Sequence, residues 1–579
     1  MTTQDFKNKN FGSANINVIE GNEKDLNFIS KILEEQIIYI AKPDTKIFNV
    51  IIQIHLMLKA MRPNLIEDII FIPGENYDII DFMTSNHIRG DFNIANLNFD
   101  LIPIDIDLLS LERDECLREI YMDNNLTSVS DLANSLVKLE TIFGKVKYKY
   151  IKGDVAQTFC SLLKEKEEEN NLESNNEILG MIAFDRSVDF ITLMTTNYTC
   201  EGLIDENLGI NLGRIKIKES ILKENLSKNP VSSTSNKVIP FGLTTAYNQL
   251  FCSFRCMHYL DGLKYINSIR EHYQQLASKC KDSSKKISIN KLKELTEDIN
   301  YYMSKIKDNL IMNENIINYI VQPLRDPNYL RYIEKEQVML SGDLPADLHN
   351  YYDEHLCEQK NLIQLIRLMI LESLTQNGIK DYQKLKREIL NIYGFQNIFL
   401  FRDLEKLDWL KEKQILKNIK KNITTITFNQ INEKLELIKM NYNPQKIDDC
   451  SYVMGGYCPL SLKLIEKAVE GNWNSIADVL RRMPGATHFP EDEKVISNPE
   501  KEKNIIFIVF IGGITYTEIE GIRFLNRKFK EEYKNGKRKK TQFIILTTGI
   551  LNSKKILNNL GKDVRSTLTI KQFYEQTNK

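Results

Sequence analysis

The stretch FIGGITYTEIEGIRFL, residues 510–525, predicts the end of a buried strand, a turn on two glycines and the start of a helix. Many nucleotide-binding loops share this layout. A phosphate-binding P-loop needs GxxxxGK[ST], but no lysine stands near Gly512 and Gly513. Glu518 and Glu520 fall in the first helical turns, where their charge would repel a phosphate. The stretch therefore predicts a structural turn and no nucleotide site.

Apolar runs of strand length surround this stretch and alternate with helical patterns. Runs rich in Ile and Phe are typical of central parallel strands, and their alternation with helices indicates an α/β fold. The predicted strands are residues 36–42, 68–74, 98–110, 179–184, 504–513 and 542–549, and residues 50–61 form a predicted helix.

The middle of the chain changes character. Residues 240–441 carry apolar residues at three- and four-residue spacing, which predicts an all-α block. NLIQLIRLMILESL (residues 361–374) is apolar nearly all round, so we expect a buried helix. The predicted domain ranges are an N-terminal α/β domain (1–125), a second α/β domain in two parts (126–239 and 451–579) and a helical insertion between them (240–450).

The composition of the chain argues against several classes of function. The 579 residues are 42% apolar and 27% charged, and the formal net charge of −1 gives no global attraction to nucleic acid or anionic lipid. The N-terminus has no apolar signal-peptide region, and the longest uncharged run near a strand has 14 residues, short of the ~18 of a membrane span. Nine scattered cysteines without a CxxC pair indicate reduced thiols in the cytosol.

Asp185, Arg186 and Asp189 follow a predicted strand. Two carboxylates in this position can bind a metal or transfer protons. The alternative is an ion-paired loop at the sheet edge, with Arg186 between the aspartates, and the absence of a third ligand nearby in sequence favours it.

Other candidate sites are also weak. Cys252, Cys256 and His258 lie on a predicted helix and could share a metal, but zinc usually needs a fourth ligand, so core thiols are favoured. The basic run at residues 534–540 could touch acidic head groups, or form a solvated loop. The chain has no HExxH or GxSxG motif and seven histidines in all, so its sequence holds few of the residue patterns that are typical of catalytic sites.

Taken together, seven colinear segments resemble one family. They are FIGGITYTEIEGIRFL, IAFDRSVDFIT (182–192), YTCEGLIDENLGI (198–210), YVMGGYCPLSLKLIE (452–466), LIPIDIDLLSLERDECLREIY (101–121), KLKREILNIYGF (384–395) and KGDVAQ (152–157). These segments resemble the Sec/Munc (SM) proteins, and among them the vacuolar protein sorting branch. The resemblance covers residues 36–560.

The resemblance implies an arch-shaped SM fold with two parallel-sheet α/β domains and a large all-α insertion. It implies no enzyme activity and no cofactor. The residues that match the motifs are expected to have structural roles: Asp185, Arg186, Asp189, Gly512, Gly513, Glu518 and Arg523. Only 35 residues precede the first predicted strand, whereas a βαβ unit takes about 30 or more, so the N-terminal α/β domain is expected to be shortened.

The resemblance also implies a function. SM proteins bind SNAREs and promote membrane fusion, and the vacuolar branch works in the HOPS and CORVET tethers on late endosomes, lysosomes and vacuoles. We therefore expect a cytoplasmic, peripherally associated protein that templates SNARE assembly. The expected SNARE surface lies in residues 240–344, on the exposed face of residues 291–309.

The expected protein partners are SNAREs, the helical-solenoid subunit (number sixteen of the vacuolar sorting series) and other class C tether subunits, with no nucleic acid. In the family the solenoid docks just before the YVMGGYCPL-like motif, here TFNQINEKLELI (residues 427–438). Phe428, Ile431 and Leu435 are the candidate anchor, and the alternative is that they are core residues. A secretory- or Golgi-type SM protein that binds a single syntaxin, and a nucleotide-dependent α/β enzyme, are the alternative functions.

Overall fold

The computed structural model describes residues 36–43, 45–72, 74–75, 77–97, 100–170, 178–224, 237–281, 297, 300, 302–413, 427–439, 449–489, 503–536 and 540–561. The chain divides into two compact units, Met1–Pro103 and Ile104–Lys579. None of the helices in the described ranges combines the length and apolar character needed to cross a membrane.

The described part of the first unit, which starts at Gln36, holds a small parallel sheet with two helices. Its elements are β1 (Gln36–Ala41), α1 (Thr45–Met61), β2 (Ile66–Phe71), α2 (Tyr77–Ser85) and β3 (Asn93–Asn96). The strands are parallel in the order β1-β2-β3. Because side chains alternate along a strand, every second residue of β1 and β2 enters one core with the apolar residues of α1 and α2.

The predicted strands at residues 36–42 and 68–74 and the helix at 50–61 are confirmed. β3 was not predicted, since its sequence NIAN is polar and three of its four residues are exposed. The predicted shortening of this domain concerns residues 1–35, which lie outside the described ranges.

The second unit is built on a seven-stranded sheet. Its strands are β4 (Ile102–Asp105), β5 (Leu108–Ser110), β6 (Tyr148–Lys152), β7 (Ile178–Asp185), β10 (Thr487–His488), β11 (Lys503–Ile511) and β12 (Lys540–Thr547), and β8 (Arg214–Lys218) pairs with β9 (Val238–Gly242) in a separate antiparallel sheet. The order is β10-β6-β7-β11-β12-β5-β4. The pairs from β6 through β5 are parallel, and β10 runs antiparallel to β6.

The apolar runs at residues 504–513 and 542–549 form the central parallel strands β11 and β12, as predicted, and both strands end two residues before the runs do. The single strand predicted at residues 98–110 is wrong, because it is two short strands, β4 and β5. Residues 106–107 form a turn between them, where Ile106 is exposed and the Asp107 carboxylate binds Arg523. Both short strands lie inside the range 1–125 and belong to the seven-stranded sheet, and the predicted domain ranges stay predictions.

Helices make up most of the rest of the second unit. They are α3 (Cys116–Tyr121), α4 (Thr127–Phe143), α5 (Asp154–Glu169), α6 (Ile191–Met194), α7 (Cys200–Leu208), α8 (Glu219–Leu222), α9 (Gln249–Phe254), α10 (Tyr259–Lys281), α11 (Lys307–Val321), α12 (Pro327–Leu340), α13 (Leu348–Cys357), α14 (Leu362–Thr375), α15 (Tyr382–Tyr393), α16 (Ile398–Lys406), α17 (Phe428–Leu435), α18 (Leu460–Val469), α19 (Ala477–Arg482), α20 (Tyr516–Lys534) and α21 (Ser553–Asn559).

The all-α prediction for the middle of the chain is confirmed for its described residues after β9. Ten residues of α14 are buried, including polar Arg367 and Glu372, so the helix is enclosed as its sequence predicted. It packs in one core with α12, α13, α15 and α16, around Trp409. The helix predicted through residues 252–258 is shorter than expected, because α9 ends at Phe254 and His258 makes a β-bridge with Thr199.

Candidate functional site

The glycine turn joins β11 to α20. Gly512 and Gly513 have φ values of 86° and 100°, which side chains other than glycine rarely adopt. The Gly512 N–H donates to Thr548 Oγ1 at 3.0 Å, and a Cβ on Gly513 would overlap the Leu551 side chain. The turn is therefore packed against the chain that follows β12.

The helix after the turn is closed by its own side chains. Thr515 and Glu518 form a capping box, in which the Glu518 N–H donates to Thr515 Oγ1 at 3.3 Å and the Thr515 N–H donates to Glu518 Oε2 at 3.0 Å. The carboxylate thus supplies the negative charge that the N-terminus of α20 favours. This arrangement agrees with the predicted structural turn.

Arg186 and Glu518 form a bidentate ion pair. Arg186 Nη1 lies 2.7 Å from Glu518 Oε2, and Nη2 lies 2.8 Å from Oε1, with side-chain exposures of 1% and 0%. Ser461 Oγ also donates to Glu518 Oε1 at 2.6 Å. Burial alone would raise the pKa of Glu518, but the guanidinium of Arg186 outweighs it and holds that pKa below its usual value. The pair ties the end of β7, the start of α18 and the start of α20 together.

Asp185 fills an anion position at the start of α5. Its Oδ2 accepts from the N–H groups of Val155 and Ala156 at 2.8 and 3.3 Å, and its Oδ1 accepts from Tyr121 Oη at 3.2 Å. Gly153 precedes the helix with φ 114°, and a Cβ there would overlap the Asp185 carboxylate. A helix N-terminus after a glycine can hold a phosphate. Here the chain's own carboxylate occupies that place.

Asp189 also binds residues close to it in the chain, Thr192 and Arg186. Its Oδ1 accepts from the Thr192 N–H at 3.0 Å and its Oδ2 from Thr192 Oγ1 at 2.7 Å, while its backbone oxygen accepts from Arg186 Nη2 at 2.5 Å. Burial raises the pKa of Asp189. The expectation that Arg186 pairs with the flanking aspartates is therefore corrected: its carboxylate partner is Glu518, and the loop carboxylates bind backbone and hydroxyl groups.

Arg523 lies in a second buried network, whose partners were not predicted from the sequence. Its Nε and Nη1 lie 3.0 Å from Asp107 Oδ2 and 2.6 Å from Glu201 Oε2. Arg255 joins through Asp105 Oδ2 at 2.5 Å. The only sequence signal was IDID (residues 104–107), two aspartates in an otherwise apolar run. Since both arginines have acidic partners inside the protein, these residues stabilise the fold.

Glu520 sits next to this network on α20. Asn197 Nδ2 donates to Glu520 Oε2 at 2.9 Å, and Thr199 Oγ1 also binds that oxygen. Burial, with the nearby charge of Glu201, raises the pKa of Glu520 to about 8. All the motif residues of this region are therefore enclosed by protein and bound to protein groups.

The cysteine and histidine candidates do not come together as a metal site. Cys252 is half-buried with its Sγ 3.6 Å from the Leu243 oxygen, and Cys256 is buried. Burial raises the pKa of the Cys256 thiol to about 12 and lowers the pKa of His258. In the described ranges, no group of three or more His, Cys, Asp or Glu side chains is placed to hold a metal ion.

The predicted partner-binding helix is α17. A capping box of Thr427 and Gln430 starts it. Phe428 is 8% exposed and its ring centroid lies 6.3 Å from that of Tyr457, and Leu435 is buried. Ile431 is half-buried. Of the three candidate anchor residues, Ile431 is thus the one that presents most surface to solvent.

The helical block carries a cleft of about 480 Å³ between α9, α10 and the chain before α11. Its lining mixes apolar and polar side chains: Leu250, Ser268, Ile269, His272, Tyr273 and Ile306. Of the predicted SNARE-binding face at residues 291–309, residues 291–296, 298, 299 and 301 lie outside the described ranges. Met303, on the described part, is 53% exposed. Residues 537–539 of the basic run are outside them too.

Comparison with known proteins gives one consistent result. A profile of the Sec1 family matches residues 3–559. The chain is 26% identical over 544 residues to vacuolar protein sorting-associated protein 33A of Rattus norvegicus, covering 91% of this chain and 86% of that protein. It is 25% identical over 510 residues to the vacuolar protein-sorting-associated protein 33 homolog of Arabidopsis thaliana, covering 83% and 79%.

The fold agrees with this result. The chain superposes on the crystal structure of the Unc18–syntaxin 1 complex from Monosiga brevicollis with a TM-score of 0.56 and 12% sequence identity, covering 92% of this chain and 89% of that one. The SM-type fold expected from the sequence motifs is therefore confirmed.

Proposed function

The chain belongs to the Sec1 family, and we propose that it is a SNARE-binding, fusion-promoting subunit of a vacuolar or endolysosomal tethering complex. The observation that carries this proposal is its similarity, over most of both chains, to two relatives named as vacuolar protein sorting proteins. The SM-type fold, shared with a structure determined together with syntaxin 1, supports the SNARE-binding part.

The proposed mechanism is templating. SNARE zippering aligns helices in register, so a scaffold that holds one or two of them lowers the conformational entropy still to be lost at zippering. The cleft between α9 and α10 supports this role, because an amphipathic helix binds a groove through a row of apolar contacts. Ile269 and Tyr273 are four residues apart on α10 and thus share one face.

The proposal includes no enzyme activity. Its support is that two of the strand-to-helix junctions in the described sheet, where an α/β fold can receive a phosphate, carry the chain's own carboxylates. Asp185 accepts from the N–H groups at the start of α5, and Glu518 caps α20. A phosphate at either helix would meet a negative charge.

The solenoid subunit of the HOPS and CORVET tethers is proposed to dock on α17, through Ile431. Phe428 and Leu435 would then hold the helix in place from the core side, since both are buried. An aspartate at position 431 would put a charge in the centre of an apolar contact, where truncating or charging an anchor typically costs about 2 kcal/mol or more of binding energy.

The first test is affinity purification of the tagged full chain from its own cells, read by mass spectrometry. Recovery of a helical-solenoid subunit with its β-propeller partners is expected. Ile431→Asp should lose that subunit by at least tenfold, and the matched control Asn432→Asp, which adds the same charge one residue along α17, should keep it. Recovery of a syntaxin alone would contradict the tether proposal and indicate a secretory-type SM protein.

The SNARE surface is tested separately with purified SNARE helices and the full chain. Ile269→Asp in the cleft should weaken binding, whereas Gln274→Glu, at an exposed position of the same helix, should not. Unchanged binding of Ile269→Asp, with unfolding temperatures equal to wild type, would refute this placement.

A further inference from the structure

Three large apolar side chains are exposed where α15 ends and α16 begins. Ile392 is 38% exposed, Phe395 68% and Ile398 43%, and one 3₁₀ turn (Phe395–Asn397) connects the helices. We call these three residues the corner patch. Large apolar side chains exposed within seven residues of one another are candidates for a surface on which another segment docks.

The described part of the second unit ends on the same helix. Leu560 is buried in one core with Phe401. The Gly561 N–H donates to Asp403 Oδ2 at 2.9 Å, and a Cβ on Gly561 would lie 2.9 Å from the backbone N of Leu400. The chain beyond residue 561 therefore starts from the first two turns of α16, the helix that also carries one residue of the corner patch.

The sequence continues after Gly561 for 18 residues, KDVRSTLTIKQFYEQTNK (residues 562–579), called the tail below. Its apolar and aromatic side chains are sufficient to cover a patch of three residues: Val564, Leu568, Ile570, Phe573 and Tyr574. An extended chain spans about 3.3 Å per residue, so Phe573 can reach up to about 40 Å from Gly561. A segment tethered this closely has an effective concentration in the millimolar range, which favours it over a free partner.

We propose that the tail binds back onto the corner patch of its own chain through these apolar side chains. The attachment at Gly561, the exposed Phe395 ring and the apolar content of the tail together carry this inference, and none of them depends on which partners the protein has. A consequence is that any protein that uses Phe395 as a contact must compete with the tail.

The test uses the full chain with Gln396→Cys as a reporter beside Phe395. Its reaction with a maleimide is followed by mass spectrometry of the peptide that contains position 396, so native cysteines do not interfere. Leu568→Ser, Ile570→Ser and Phe573→Ser together should speed the labelling at least tenfold. The control Thr569→Ala with Gln572→Ala, in the same tail, should leave the rate unchanged.

Three outcomes would overturn the proposal. In the first, the tail variant is labelled at the wild-type rate. In the second, labelling slows as the protein concentration rises, which indicates that a second copy covers the patch. In the third, the reporter is protected only after a cell extract is added, which indicates a separate partner. Equal unfolding temperatures of wild type and tail variant exclude misfolding. As a second measurement, Gln396→Cys with Tyr574→Cys should form an intramolecular disulfide at every protein concentration, and its absence would also overturn the proposal.

Discussion

Removing the charge of Glu518 is the sharpest perturbation of the joint that the motif residues build. Glu518→Gln keeps an acceptor for the Thr515 N–H but leaves the guanidinium of Arg186 buried without its counter-ion. Breaking a buried, hydrogen-bonded ion pair in this way costs about 3–5 kcal/mol. Arg186→Met should cost a similar amount, because it leaves the buried Glu518 carboxylate without its counter-ion.

The size of the thermal shift follows from the size of the unit. For roughly 480 residues, an unfolding entropy of about 2 cal/mol/K per residue gives about 1 kcal/mol per degree, so we expect the midpoint to fall by about 3–5 °C. Tryptophan fluorescence suits the assay, because Trp409 and Trp473 are the chain's two tryptophans and both are buried in the second unit.

A double-mutant cycle separates the pair from its surroundings. Arg186→Met with Glu518→Gln removes both charges, so its loss should be smaller than the sum of the two single losses, with a coupling energy of about 2 kcal/mol or more. The matched control is Glu531→Gln, an exposed position of the same helix, which should shift the midpoint by less than 1 °C. Single variants that shift it no more than this control, or strictly additive losses, would refute the reasoning.

Further predictions address the turn, a buried acid and the absence of a nucleotide site. Gly513→Ala should destabilise the second unit by more than the ~1–2 kcal/mol that an alanine costs in the left-handed region, because its Cβ would also overlap Leu551. The control Gly536→Ala, at φ 70° with open space around the position, should cost only the backbone strain. Equal losses of stability for the two variants in thermal denaturation would contradict this prediction. Burial raises the pKa of Glu372 from 4.5 to about 7, so ionisation of this carboxyl disfavours the folded state. The contribution of Glu372 to the free energy of unfolding is therefore fully present below pH 4.5 and is lost as pH rises through 7. The free energy of unfolding of Glu372→Gln, measured in urea relative to wild type, should therefore rise by about 3 kcal/mol between pH 4.5 and pH 8. A difference between variant and wild type that does not change with pH would count against this prediction. Saturating ATP, GTP or NAD should leave the unfolding midpoint unchanged, whereas a site filled at 100 times its Kd would add about 2.7 kcal/mol.

The sequence predicted elements well where burial has a local period. The Ile- and Phe-rich runs of β11 and β12 are enclosed central strands, and α14 is surrounded by protein as its apolar circumference indicated. It predicted β3 poorly, since NIAN has no apolar period, and it joined β4 to β5, since the break at residues 106–107 serves a contact with a distant residue.

Of the candidate site, the sequence identified the residue types but not their partners. The glycine turn and the acidic helix start were enough to predict a structural turn. The pairing of Arg186 was predicted with its neighbours, whereas the structure pairs it with Glu518. The network around Arg523 was missed, because IDID is a weak signal.

What the sequence determined by itself is therefore local: strand and helix periods, the left-handed glycine turn and the lack of a phosphate loop. What only the tertiary structure decided is which charges meet. Arg186 and Glu518 are 332 residues apart, and Arg523 and Asp107 are 416 residues apart. They meet because β7 and β12 flank β11 and β5 flanks β12 in one parallel sheet, and such pairings depend on strand order, which no short stretch of sequence contains.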